Sequence, residues 1–158
     1  MILGLDPGRN KIGWALVDCE GKLILSGIFL VSELEVFLEI LERPADKWEE
    51  ELAFWTHERQ SSVPESEVAY VALGDGTGSR DTALRLGRLR RRMVLVDERE
   101  TTLAARELYW RLHGPVWWQR ILPRSLRIPP RNVDDMAAWG IALRSLEARP
   151  RHLETLPI

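Results

Sequence analysis

The hydrophobic pattern of this chain switches between the period of a strand and that of a helix. Ile2-Leu3-Gly4-Leu5 is a short apolar run that closes on Asp6, and Lys11 to Asp18 and Lys22 to Leu30 are two longer runs separated by Cys19-Glu20-Gly21. That separation suits a hairpin packed beside the first strand. From Ser32 the period becomes helical: Leu34, Phe37, Leu38 and Leu41 fall on one face behind a Ser32-x-x-Glu35 capping box, and Pro44 ends the run. Asp46-x-x-Glu49 repeats the start signal. With Trp48, Leu52 and Trp55 continuing the stripe, the pattern predicts a long or broken acidic helix whose Trp residues are packing anchors. Gln60 to Glu67 reads as a loop and Val68 to Leu73 as a central parallel strand. A glycine-rich loop, Gly74 to Ser79, then leads into a helix from Arg80 to about Arg92. Met93 to Val96 is a further buried strand, Thr102 to His113 a helix with His113 at its end, and Met136 to Leu146 the last helix. The order strand-strand-strand-helix-strand-helix-strand-helix-helix predicts an α/β fold.

At 158 residues and 45% hydrophobic, the chain has the size of one domain, residues 1–158, with a substantial core. Cys19 is the single cysteine, which excludes an intrachain disulfide and reads as a small turn residue. Neither a charged-then-apolar leader nor a membrane-length apolar run is present, so a soluble cytoplasmic protein without a membrane partner is expected. The net charge of −2 conceals a strong asymmetry. Residues 33–67 hold eleven acids against three Lys or Arg, whereas residues 80–151 hold sixteen Arg against eight acids. Arginine's planar fork suits phosphate oxygens, so the second half is a candidate nucleic-acid footprint, with solvated helix faces as the simpler reading.

Carboxylates recur where predicted elements end. Asp6 closes the first strand before Pro7-Gly8, Asp97-Glu98 follows Met93 to Val96, and Asp134-Asp135 opens the last helix. Hard divalent cations prefer oxygen ligands held in fixed places, as at the end of a buried strand. An Asp-Pro-Gly turn alone is ordinary turn chemistry, so the argument depends on whether these acids meet. Alternation along a strand turns Asp97 and Glu98 to opposite faces. Consecutive helical positions lie about 100° apart, which leaves one of Asp134 and Asp135 as a ligand and the other as a cap, Asn132-x-x-Asp135 resembling a capping arrangement.

Three segments carry a family resemblance: Gly4-Leu5-Asp6-Pro7-Gly8 with Gly13-Trp14-Ala15, then Val96-Asp97-Glu98-Arg99-Glu100-Thr101-Thr102-Leu103-Ala104-Ala105-Arg106, then Val133-Asp134-Asp135-Met136-Ala137-Ala138. In this order they resemble the YqgF/RuvX family, the RuvC-related branch of RNase-H-like nucleases described as Holliday junction resolvases or pre-16S ribosomal RNA processing nucleases. The middle segment is the most specific. The resemblance implies an RNase-H-like fold with a five-stranded mixed sheet, its first three strands antiparallel, flanked by helices. It implies a metal-dependent endonuclease in which Asp6, Glu98 and Asp134 hold one or two Mg²⁺ or Mn²⁺ ions beside a phosphodiester of branched DNA or precursor RNA. Asp135, Asp75 and Asp97 stand in reserve as ligands, Asp75 because RuvC-like relatives carry an acid near there.

The chain departs from that family in two places. Gly74-Asp75-Gly76-Thr77-Gly78-Ser79-Arg80 replaces its usual Gly-x-Pro and Asp-Gly segments, and an insertion, Gly114 to Arg131, is rich in Trp, Pro and Arg. Adjacent Trp117 and Trp118 cannot both be buried on one face. With Arg120, Arg124 and Arg127 they suit stacking and phosphate contacts to unpaired bases, or else a pin for the loop or a dimer contact. Arg9, Lys11 and Arg80 complete the candidate nucleic-acid contacts. The chain is expected to be a monomer or a homodimer. A non-catalytic nucleic-acid-binding domain would keep the basic half without convergent acids. An actin-like nucleotide-binding protein would share the opening Asp-x-Gly, but it needs two lobes where this chain has length for one.

Overall fold

The computed structural model describes residues 1–97, 101–123 and 126–148, without the side chains of Thr101 and Thr102. Among these residues six strands form one sheet: β1 (Ile2–Pro7), β2 (Lys11–Val17), β3 (Leu23–Leu30), β4 (Thr56–Arg59), β5 (Tyr70–Gly74) and β6 (Arg92–Val96). Their order is β4-β3-β2-β1-β5-β6. The pairs from β4 to β1 are antiparallel, whereas β5 and β6 run parallel to β1. Five α-helices flank the sheet: α1 (Leu34–Leu41), α2 (Trp48–Glu51), α3 (Ser79–Leu86), α4 (Thr101–His113) and α5 (Asp134–Glu147). The sheet is mixed and its first three strands are antiparallel, as expected, with six strands in place of five. The extra strand, Thr-His-Glu-Arg, has no apolar alternation to announce it. It lies on the outer edge of β3, where polar residues are the rule.

Strand alternation divides the core in two. Leu3, Leu5, Trp14, Leu16, Val71 and Leu73 face one side, where they pack with α1 and α3 through Phe37, Leu38 and Leu86. Phe29 and Phe37 stack there with ring centroids 4.4 Å apart. Trp48, Leu52 and Trp55 are buried in the same cluster, as their spacing predicts. The acidic helix is indeed broken, with a 3₁₀ turn at Ala45–Lys47 between α1 and α2. Its start differs from the expected box. A 3₁₀ turn, Val31–Glu33, comes first, so Glu33 rather than Glu35 accepts a bond from the Leu30 amide, at 2.7 Å. Helix α3 stops at Leu86, short of the expected Arg92, because a 3₁₀ turn follows and Arg90 takes a left-handed conformation (φ 47°).

On the other side, Ile2, Ala15, Tyr70, Ala72 and Val96 pack under α4 and α5 with Leu108, Met136 and Ile141. A row of small residues crosses this side of the sheet: Ser26, Ala15, Gly4 and Ala72 are successive neighbours from β3 to β5. It lets α5 approach closely enough that a Cβ added at Gly4 would overlap the Ala138 carbonyl oxygen. The β2–β3 hairpin closes through the Asp18 carboxylate, which accepts from the amides of Glu20 (2.8 Å) and Lys22 (2.9 Å). Cys19 is an exposed residue of that turn. No helix among the described residues is long and apolar enough to cross a membrane.

Candidate functional site

Two of the three sequence-distant acids, Asp6 and Asp134, lie on neighbouring stretches of backbone at the end of β1. Asp6 pairs across the ladder with Gly13 of β2, and directly opposed residues in an antiparallel pair project to the same side of the sheet. That side is the one α5 covers. A Cβ at Gly13 would overlap the carbonyl of Asp134 and press on the amide of Asp135. The first turn of α5 therefore rests on Gly13, and Asp134 begins its helix beside Asp6. Asp6 and Asp134 are both half-buried. The Asn132 side chain accepts from the Asp134 amide at 3.0 Å, which satisfies one of the free amides at the helix start. Thus Asn132 serves Asp134, not Asp135 as the capping spacing suggested. Glu98, expected as the third ligand, lies outside the described residues. Among the described residues no three His, Cys, Asp or Glu side chains form a group able to hold a metal ion.

The reserve acids Asp75 and Asp97 follow β5 and β6, which run parallel to β1 and end at the same edge of the sheet. The Asp75 amide donates to the Val96 carbonyl at 3.0 Å, and Arg144 of α5 donates to the Asp97 carbonyl at 2.7 Å. Gly78 packs over the Pro7–Gly8 turn; its φ of 94° and the nearby Gly8 carbonyl both favour a residue without a Cβ. Asp6, Asp75, Asp97 and Asp134 thus border one end of the sheet, with Asp75 and Asp97 exposed.

Asp135 is committed elsewhere. It is 0% exposed and faces Arg131, whose guanidinium donates to both of its oxygens at 2.7 and 3.1 Å. Ser26 of β3 donates to Asp135 at 2.9 Å. Arg131 also donates to Glu58 of β4 at 2.6 Å, and His113 lies 2.8 Å from the same Glu58 oxygen. Burial disfavours the Arg131 charge, but hydrogen bonds to Asp135 and Glu58 and their charges outweigh it and raise its pKa above the ordinary arginine value. The reserve ligand of the sequence reading is therefore a structural acid, clamping the end of the insertion to α5 and the edge strand. Sequence reasoning missed this group. Ser26 and Glu58 lie 109 and 77 residues from Asp135, and the Arg131–Asp135 spacing of four was the one local signal.

The candidate nucleic-acid residues divide sharply. Arg9, Lys11 and Arg80 are exposed around the Asp6 end of the sheet. Three of the arginines on and just after α3 are paired: Arg85 and Arg88 both with Glu35, and Arg91 with Glu67. Glu35 and Glu67 are correspondingly held below the ordinary carboxylate range, chiefly by the arginine hydrogen bonds. In the insertion Trp117 and Trp118 are 77% and 52% exposed, on a 3₁₀ turn that also carries exposed Arg120. Neither Trp pins the loop. Trp110 does so, donating to the Arg127 carbonyl at 3.2 Å, while Arg127 donates to the carbonyls of Leu122 (3.1 Å) and Arg120 (3.2 Å). Arg127 is therefore a brace of the insertion. Arg124 lies outside the described residues.

No family model matches the sequence, and no curated protein matches it. Two solved structures of Thermus thermophilus RuvC resemble the chain in overall arrangement. One, of RuvC in complex with a Holliday junction substrate, is 15% identical over 94% of this chain and 94% of that one, with a TM-score of 0.47. The other, of Thermus thermophilus RuvC, is 16% identical over 94% and 95%, with a TM-score of 0.46.

Proposed function

We propose that the chain is a single-domain, divalent-metal-dependent endonuclease that hydrolyses phosphodiester bonds in structured nucleic acid, either branched DNA or precursor ribosomal RNA. One observation carries this reading: Gly13, the ladder partner of Asp6, supports the backbone of Asp134, so carboxylates 128 positions apart in the chain flank one point of the sheet. Asp6 and Asp134 supply anionic oxygen donors of the kind Mg²⁺ or Mn²⁺ take, and the proposed third donor is Glu98, with Asp75 and Asp97 in reserve. When bound, such an ion lowers the pKa of a water and stabilises the leaving oxygen. The chain's own contribution is to fix the donors on a strand end and a helix start, both anchored in the core. Arg9, Lys11 and Arg80 draw the phosphate backbone to this rim, and Trp117, Trp118 and Arg120 take up unpaired strand.

Cleavage of labelled DNA and RNA substrates with Mg²⁺ or Mn²⁺ tests the proposal. Asp6→Asn keeps the size of the side chain and removes its charge, so cleavage is lost while the melting temperature holds. A fully active Asp6→Asn protein contradicts the site. Wild-type protein that binds the panel and cleaves none of it is the non-catalytic binding domain.

A further inference from the structure

The insertion folds over the outer face of α4 and leaves a cavity of about 520 Å³ between them. Its α4 wall is Leu103, Arg106, Glu107, Trp110 and Arg111, which recur at helical spacing on one face, while Ala105, Leu108 and Tyr109 on the opposite face pack toward α5. Pro115 and Arg127 close the insertion side. We propose that this cavity accepts one unpaired nucleotide of a nucleic-acid strand, the base against Trp110, Leu103 and Pro115 and its phosphate on Arg106 and Arg111. The proposal rests on the nucleic-acid reading above and names the feature of the substrate that is recognised.

Size, chemistry and charge each favour this occupant. The volume lies within the range of small-molecule sites, about 300–1,000 Å³. An indole, a leucine and a proline offer apolar contact for a base, and guanidinium groups pair with phosphate oxygens. The charge here is also unspent. Arg43, Arg59, Arg85, Arg88, Arg91 and Arg131 each pair with a carboxylate, whereas among the described residues Arg106 and Arg111 enter no such pair, although Glu107 lines the same cavity. A second copy of the chain seated face to face would set arginine against arginine, since a two-fold interface joins a patch to itself. From the cavity the exposed surface continues along the 3₁₀ turn through Trp117, Trp118 and Arg120, which gives the strand on either side of the nucleotide a path. A mononucleotide would leave that path empty.

The test is equilibrium binding, in EDTA so that no cleavage intervenes, to a duplex with one bulged 2-aminopurine, to the same duplex fully paired, and to adenosine monophosphate. Wild type is expected to favour the bulged duplex about tenfold and to change its 2-aminopurine fluorescence on binding. Leu103→Trp places bulk at the mouth from a position 59% exposed, so the fold is kept and the bulge preference is abolished. Arg106→Ala with Arg111→Ala does the same and lowers the salt dependence. Equal binding of bulged and paired duplex, or a bulge preference that survives both variants, overturns the cavity assignment and leaves the nuclease reading standing. Monophosphate binding as tight as the bulged duplex also overturns it. Failure to bind any nucleic acid overturns the function proposed above and this inference with it.

Discussion

Gly13→Ala is the substitution that most sharply examines how the site is held. The glycine lies within β2, with no positive φ that would disfavour a side chain. On chain entropy alone alanine should stabilise such a position by about 0.4–1 kcal/mol. The packing says the reverse, because the new methyl would overlap the Asp134 carbonyl and crowd the Asp135 amide, both backbone atoms of a helix fixed by its own core. Inserting a methyl into packed structure typically costs about 1–3 kcal/mol, and that outweighs the entropic gain. The helix start must lift, so Asp134 retreats from Asp6 and the Asp135–Arg131–Glu58 group is pulled at its α5 end. Urea denaturation should therefore show a net loss of about 1–2 kcal/mol after the entropic gain is deducted. Cleavage should fall further than this loss of folded protein explains. Gly87→Ala is the control, since a Cβ there meets nothing within 4 Å. A Gly13→Ala protein as stable and as active as wild type would refute the close approach of α5 to β2.

Other expectations follow from the same geometry. Arg131→Met leaves the buried Asp135 and Glu58 facing each other without their shared cation, and stability should drop by about 3–5 kcal/mol in urea melts; a loss under about 1 kcal/mol would mean the group is not buried as described. Glu35 has a lowered folded pKa, so its stabilisation is present above its unfolded pKa and is lost as pH falls through the folded value. The melting-temperature gap between wild type and Glu35→Gln should accordingly exist at neutral pH and close on acidification, and a gap that widens in acid would contradict the pairing with Arg85 and Arg88. Trp117→Ala should weaken single-stranded oligonucleotide binding by about 1–3 kcal/mol and Arg120→Ala should flatten its salt slope; unchanged affinity and slope in both would place the strand elsewhere.

Much of the fold was legible because most strands and helices announce themselves by burial. The runs at Ile2 to Leu5, Lys11 to Asp18 and Lys22 to Leu30 are β1 to β3 within a few residues. The edge strand β4 was not legible, since a polar tetrapeptide on a sheet edge has no period to detect. The pairing of arginines on and just after α3 was not legible for a different reason. Glu35 and Glu67, the partners of Arg85, Arg88 and Arg91, come from the acidic stretch of sequence, so the separation of charge along the chain is partly offset across space. At the candidate site, Asp6 stood out as a strand end and Asp134 was chosen over Asp135 by the family resemblance, whereas the fate of Asp135 depended on Ser26 and Glu58, which only the folded sheet brings near. Adjacent Trp117 and Trp118 could not both be buried on one face, and both are exposed; Trp110, inside a helix that looked ordinary, proved to be the anchor.

The central claim is that Asp6 and Asp134 are arms of one metal site. The most direct measurement is anomalous diffraction at the manganese edge from crystals of the full chain soaked in Mn²⁺, with Asp6→Asn crystals treated in the same way. The account predicts a manganese peak bonded to carboxylate oxygens of both Asp6 and Asp134 in the wild type, at the 2.0–2.3 Å or so expected of oxygen ligands to a small divalent ion, and its loss in the variant. Wild-type crystals in which manganese binds elsewhere, with both carboxylates turned to other partners, would contradict it.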